Sequence, residues 1–144
     1  MQGYNVIAVF SEDARQVLMC RRRKMPYKGL LNFVGGKIEP GEDSLEAAYR
    51  ELREETGITR ADIRLSHLMD FTYWYENGFL EVYAGRLSRE VRPQGDENEL
   101  LWVPADSDFF DLSRFAGVGN IGHIMMQVRL FEKQVLGTDG AVSG

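Results

Sequence analysis

Three glutamates, Glu51, Glu54 and Glu55, stand at i, i+3 and i+4, a spacing that on a helix projects all three carboxylates from one face. Like charges at that spacing cost about 0.2–0.5 kcal/mol, and negative charge in a helix's last turn opposes the macrodipole by about 0.3–1 kcal/mol. Stability alone does not select such a face. Arg50, four residues before Glu54, and Arg53 offset only part of the repulsion. One reading is a solvated charged surface. The other is a site for a hard divalent cation, Mg²⁺ or Mn²⁺, which takes several oxygen ligands and turns the repulsion into attraction.

A helix from Asp43 to Thr56 must carry these groups. Leu45, Ala48, Tyr49 and Leu52 mark its apolar stripe, Asp43 with Glu46 has the spacing of a capping box, and Gly57 is a natural stop. Before it, Tyr4 to Phe10 and Gln16 to Arg21 read as a hairpin across Ser11-Glu12-Asp13-Ala14. Leu30 to Ile38 is a third extended stretch, holding Gly35-Gly36, where the missing side chains allow close approach to the backbone. After the helix, Ile63 to Tyr75 and Phe79 to Leu87 flank Asn77-Gly78, a strong hairpin signal, and Leu100 to Val103 is a short strand. Residues 104–119 read as loop with one helical turn, and Asn120 to Leu136 as a second helix through Ile121, Ile124, Met125, Val128 and Phe131. The order points to an α+β domain with helices packed on a mixed sheet, spanning residues 1–137 with a frayed tail over 138–144.

Composition narrows the function classes. The chain has 144 residues, 44% hydrophobic and 27% charged, which fits one globular unit and excludes disordered and fibrous classes. Its net charge of −5 argues against a nucleic-acid clamp. The charge is unevenly spread: residues 1–35 carry six basic and two acidic groups, while residues 36–58 carry three and seven. A basic entry beside a dense acidic block suits anions handled with the help of a cation. Cys20 is the single cysteine, which fits a reducing, cytoplasmic setting, and no apolar run approaches the roughly 18 residues of a membrane span.

From Gly36 the chain runs through five residues to Glu42, seven more to Arg50-Glu51-Leu52, one to Glu54-Glu55, and one to Gly57-Ile58. This resembles the Nudix box at every specified position, a coincidence on the order of 10⁻⁷ by chance in a chain of this length. The flanking pattern is similar to the MutT-type branch of that family. The resemblance implies an α/β/α sandwich whose members hydrolyse a nucleoside diphosphate linked to another group, using water and Mg²⁺ or Mn²⁺. It also implies that Glu51 and Glu55 are metal ligands and that Glu54 is a ligand or the group orienting the attacking water. The carbonyl of Gly35 is implied as a further ligand, and Arg50 as the group that orients the glutamates. Gly36, Glu42 and Gly57 would be structural. In Asp96-Glu97-Asn98-Glu99 the extra ligand best resembles Glu97, with Glu99 as competitor and a solvated loop as the plain alternative.

For phosphate, the resemblance points to Lys37, and Arg21 and Arg23 would share one face if the strand continues. Asn32 and Asn120 resemble asparagines that read a purine edge, although Asn120 also reads as a plain N-cap. Phe33, Phe115, Tyr73 and Tyr75 are stacking candidates that fit a core equally well. The leading expectation is a pyrophosphohydrolase converting a nucleoside triphosphate, such as 8-oxo-dGTP, to the monophosphate and pyrophosphate. Diadenosine polyphosphates (Tyr75 lies 17 residues past Ile58), other nucleotides, ADP-ribose and a non-catalytic Nudix-fold binding module stand as alternatives. The expected partners are a nucleotide, with neither nucleic-acid polymer nor membrane, in a monomer or homodimer.

Overall fold

The computed structural model describes residues 1–95 and 97–137, so the expected tail over 138–144 lies outside the described residues. The elements run β1 (Gln2–Phe10), β2 (Gln16–Arg21), β3 (Leu31–Asn32), β4 (Val34–Lys37), α1 (Ser44–Thr56), β5 (Ser66–Tyr73), β6 (Gly78–Arg86), β7 (Glu99–Pro104), α2 (Asn120–Leu130) and α3 (Glu132–Leu136). β1 is the axis of the sheet. It pairs in parallel with β6 along its whole length, antiparallel with β4 from Tyr4 to Ile7, and antiparallel with β2 at Phe10. β5 extends the sheet beyond β6, and β3 and β7 extend it beyond β2, all antiparallel.

The period of two along β1 divides the core. Ile7 and Val9 face α1, where they pack with Leu18, Val34, Ala48, Leu52 and Tyr83. Ala8 and Phe10 face α2 and α3, among Met19, Val82, Ile121, Ile124, Val128 and Leu136. Helices therefore cover both faces of a mixed sheet, the α+β sandwich expected from the element order. Among the described residues no helix is long and apolar enough to cross a membrane.

Four local expectations change. The stretch from Leu30 to Ile38 is two strands, because β3 pairs with β2 while β4 pairs with β1. At Phe33 the chain crosses between them, and its N–H is satisfied by Asn32 Oδ1 at 2.8 Å instead of by a ladder. Gly35 makes the second pairing possible, since with φ +150° a Cβ there would stand 2.1 Å from the Asn5 carbonyl oxygen. β5 begins at Ser66, with Ile63 left as an isolated bridge to Leu87, because buried Asp62 gathers Thr59 and Arg89 into a turn just before it. The last helix breaks at Phe131, which turns outward while Val135 and Leu136 are buried and Arg86 holds the Leu136 carbonyl at 3.0 Å. Residues 105–119 form turns and no helix.

In α1, Asp43 caps the N-terminus by accepting from the Glu46 N–H at 3.1 Å. The Glu46 carboxylate pairs with Arg60 at 2.6 Å, so only one half of the capping box closes. Gly57 ends the helix in the left-handed region at φ 78°. The buried face is Ala47, Ala48, Leu52 and Thr56, with Leu45 left exposed. Leu52 is the anchor that fixes this helix on the sheet, being fully buried between β1 and β4 residues. Leu52→Ala is expected to lower the unfolding free energy in urea titrations by about 2–5 kcal/mol, through lost transfer energy plus the cavity left behind.

Candidate active site

Arg50 organises the polar face of α1. Its guanidinium donates to both oxygens of Glu42, Nε at 2.6 Å and Nη2 at 2.9 Å, and to the Lys37 carbonyl at 3.0 Å. Nη1 reaches Glu51 at 3.0 Å and Glu54 at 3.2 Å. One cation thus ties the loop before the helix to two of the three clustered glutamates. The bidentate grip, with the Glu39 N–H at 3.0 Å, holds the Glu42 carboxyl down to about 2. Arg50 itself is held more firmly protonated than usual, through Glu42 first.

The other side of the glutamate cluster rests on the glycine pair. The Glu51 carboxyl group occupies the space a side chain at Gly36 would need, 2.4 Å from a Cβ built there. The Gly36 N–H donates to Asn5 Oδ1 at 3.1 Å, and the Gly35 N–H donates to Glu55 at 3.0 Å. Burial pushes the Glu55 carboxyl up to about 7; the Gly35 N–H opposes this, and the charges of Glu51 and Glu97 add to it. Glu51 is raised too, by burial first, with Arg50 opposing.

Glu54, Glu55 and Glu97 meet with Asn98 and Leu100 around a pocket of about 100 Å³. Glu99 does not join them, because it pairs with Arg21 at 3.1 Å on the neighbouring strand. Among the described residues, no three of Glu51, Glu54, Glu55 and Glu97 form a ready-made ligand cluster; Arg50 holds oxygens of Glu51 and Glu54, and the Gly35 N–H holds one of Glu55. The donor set nevertheless fits a hard divalent cation. It is all oxygen and part-buried, and two of its carboxyls resist ionising, through burial first and neighbouring negative charge second, a condition that a cation relieves.

Beside the glutamates opens a cleft of about 880 Å³, lined by Glu55, Glu97 and Asn98 together with Asn32, Phe33, Tyr73, Asn120 and Ile124. Asn120 is the first residue of α2 while Gly119 occupies the cap position, so the plain N-cap reading is replaced. The Asn120 side chain instead donates through Nδ2 to Tyr73 Oη at 2.5 Å. Burial raises the Tyr73 hydroxyl above its ordinary value, keeping it protonated. Asn32 spends its Oδ1 on the Phe33 N–H. Among the described residues, these bonds leave Asn120 Oδ1 and Asn32 Nδ2 unused, and both residues line the cleft.

Basic residues are placed differently from expectation. β2 ends at Arg21, whose side chain is taken by Glu99 and the Gly29 carbonyl, and neither Arg21 nor Lys37 lines the cleft. Arg23 does, together with Arg22 and Lys24, because the chain turns where a continued strand would have alternated these residues. Of the stacking candidates, Phe115 is core, Tyr75 is fully exposed on the turn between β5 and β6, and Phe33 and Tyr73 line the cleft. Asn5, Tyr27, Glu76 and Asn98 also line it and were not singled out by spacing; a lone amide inside the apolar run Tyr4 to Phe10 was the one available signal. Buried Cys20 borders the cleft, but burial and the nearby Glu55 push its thiol up to about 11, which removes thiolate reactivity.

Glu55 has a consequence for stability. A carboxyl raised from 4.5 to about 7 in the folded chain binds its proton more tightly there than when unfolded, so its contribution is full below pH 4.5 and is lost as pH rises through 7. In metal-free protein, Glu55→Gln is expected to raise the melting temperature at pH 8 relative to the parent chain, with the difference shrinking at pH 5. Equal melting temperatures at pH 8 would contradict this electrostatic account.

A NUDIX domain family model matches residues 1–113. The chain is 36% identical over 104 residues to isopentenyl-diphosphate Delta-isomerase of Mycolicibacterium vanbaalenii, covering 65% of this chain and 57% of the relative. It is 40% identical over 103 residues to 8-oxo-dGDP phosphatase NUDT18 of Mus musculus, covering 70% and 32% respectively. The chain thus spans less than two thirds of either relative. A solved structure from a study of MutT of Aliivibrio salmonicida and Vibrio cholerae superposes with a TM-score of 0.70 at 20% identity, covering 90% of this chain and 98% of that one, which shows the shared fold. With box, fold and family model in agreement, the chain belongs to the NUDIX domain family.

Proposed function

We propose that this chain is a Mg²⁺- or Mn²⁺-dependent nucleoside triphosphate pyrophosphohydrolase whose leading substrate is an oxidised purine nucleotide such as 8-oxo-dGTP. The observation that carries the reading is a cleft of about 880 Å³ whose lining combines the acidic Glu55 and Glu97 with the amides of Asn32 and Asn120. A polyphosphate chain and a base have different needs, and we assign the acidic groups to the phosphate end and the amides to the base end. The unit is residues 1–137, because Asn120, Ile121 and Ile124 of α2 complete the base end.

Glu51, Glu54, Glu55, Glu97 and the Gly35 carbonyl would hold the cation. Bound there, it neutralises phosphate oxygens and lowers the pKa of a coordinated water. Arg50 positions Glu51 and Glu54, and Glu42 braces Arg50. Glu54, about half exposed at 53%, is placed to orient the attacking water and accept its proton. The water oxygen forms a bond to phosphorus, the bond to the bridging oxygen breaks, and monophosphate and pyrophosphate leave. Arg22, Arg23 and Lys24 supply positive charge along the cleft wall for the phosphates.

At the base end, Asn32 Nδ2 faces a purine O6, an acceptor. Asn120 Oδ1 faces N7, an acceptor in guanine but an N–H donor in the 8-oxo form. Tyr73 bears on this difference, because its hydroxyl accepts from Asn120 Nδ2 and leaves Oδ1 to the base. The name of the mouse relative, an 8-oxo-dGDP phosphatase, supports the same base preference.

Pyrophosphate release from a nucleotide panel with Mg²⁺ tests the reaction. Glu55→Gln is expected to lower kcat/KM at least about 100-fold. No metal-dependent turnover of any nucleotide would leave the non-catalytic module in its place. Asn120→Ala is expected to raise KM for 8-oxo-dGTP about 10-fold or more, with little change for a pyrimidine triphosphate. Equal effects on both would remove Asn120 as a base reader. Tyr73→Phe is expected to reduce discrimination between 8-oxo-dGTP and dGTP about 10-fold while leaving total turnover in place.

A further inference from the structure

A second set of metal-ligating side chains lies outside the cleft, on the α1 side of the sheet where β5 and β6 pair. His67, Asp70 and Glu81 present one nitrogen and two carboxylate oxygens within 4.8 Å of one another, and none of the three lines the cleft. Nothing about strand periodicity predicts this, because residues three apart on a regular strand point to opposite faces. A bulge between His67 and Met69 shifts the register and brings His67 and Asp70 to the same face.

Among the described residues no Lys or Arg pairs with these carboxylates, and His67 reaches only Asp70. Asp70 and Glu81 are paired directly across the two strands, an arrangement that is destabilising for like charges. Glu81 is only 8% exposed, and its partners among the described residues are two neutral hydroxyls, Ser44 Oγ at 2.8 Å and Tyr83 Oη at 3.2 Å. Tyr83 registers the resulting field. Its hydroxyl is held protonated well beyond the ordinary range, by burial first and then by Glu81 and Asp70. His67 bonds Asp70 at 2.6 Å through Nε2 and stacks on the Tyr83 ring at 4.8 Å, so the imidazole is already held against Asp70. A buried carboxylate costs free energy unless a cation answers it, and His67 reaches only the outer member of the pair.

We propose that His67, Asp70 and Glu81 form a second divalent-metal site, separate from the α1 carboxylates, that takes a Zn²⁺-class ion through one imidazole nitrogen and two carboxylate oxygens. Ligands about 2.1 Å from a tetrahedral ion lie about 3.4 Å apart, so closing the site takes about an ångström of movement. His67 and Asp70 are exposed and free to make it, while Glu81 stays anchored by its hydroxyl partners. The donor chemistry separates the two sites. An imidazole nitrogen suits Zn²⁺ and neighbouring transition metals, whereas the all-oxygen set on α1 suits Mg²⁺. The sites are also apart in space, since Ser44, which holds Glu81, precedes Glu55 by about 16 Å of helix.

Calorimetric titration of the full chain with Zn²⁺ in excess Mg²⁺ tests the proposal. Wild type and Glu55→Gln are expected to bind one equivalent of Zn²⁺ alike, while His67→Gln and Asp70→Asn each weaken it at least about 10-fold. Both of these substitutions are at exposed positions, so they are expected to leave the fold and the Mg²⁺-dependent activity unchanged. Co²⁺ as a second probe is expected to give visible absorption bands in wild type that disappear in His67→Gln. No Zn²⁺ binding above the Mg²⁺ background would overturn the proposal. So would Zn²⁺ binding that survives in His67→Gln and disappears in Glu55→Gln, which would assign the ion to α1 and leave His67 and Asp70 as an ion pair only.

Discussion

The site depends on one part-buried guanidinium. Arg50 reaches back across the loop to Glu42 and the Lys37 carbonyl and forward along α1 to Glu51 and Glu54. Without it the helix would carry three neighbouring carboxylates whose repulsion favours unwinding or splaying its last turns. With it, the acidic face is tolerable yet not fully neutralised. Arg50 makes no bond to Glu55, whose carboxyl resists ionisation through burial first, with the Gly35 N–H opposing and the charges of Glu51 and Glu97 adding to it. Arg50 thus sets how much of the negative charge on this face is offset.

The sheet supplies the second constraint. α1 can present its glutamates to the cleft only if β4 passes close beneath it, and that passage uses two glycines for two different reasons. A side chain at Gly35 would strike the Asn5 carbonyl on β1, and one at Gly36 would strike the Glu51 carboxyl on α1. The tripartite arrangement of strand, glycine pair and helix is thus a packing solution before it is a chemical one. On the far side, α2 reaches the cleft because Gly117 and Gly119 adopt positive φ and set Asn120 opposite Tyr73. Residues lining the cleft are therefore held by both helical layers of the sandwich, Glu55 by α1 and Asn120 by α2.

Much of this was legible from residue spacing. The box and its helix read directly, because a helix converts spacing of three and four into a shared face and because Asp43 and Gly57 mark its ends. The α+β layering also read directly, since the hydrophobic period changes from two to 3.6 and back. Other features depended on long-range pairing and did not read. Arg21 looked like a phosphate ligand within a basic run, but its partner Glu99 is 78 residues away, opposite it on β7. Leu30 to Ile38 looked like one strand because extended backbone carries no mark of which neighbour it will join.

The sequence by itself determined the glutamate cluster, the helix that bears it, the need for small residues at Gly35 and Gly36, and the family, because each rests on local geometry that a few bonds of chain enforce. Tertiary structure alone decided which acidic group of the run before β7 lies with Glu55, which basic residues line the cleft, and that Asn120 bonds Tyr73. It alone brought His67, Asp70 and Glu81 together through a bulge. These are contacts between segments far apart in sequence, and their outcome depends on strand register and on which polar group finds a partner first. Neither is encoded in the spacing of neighbouring residues.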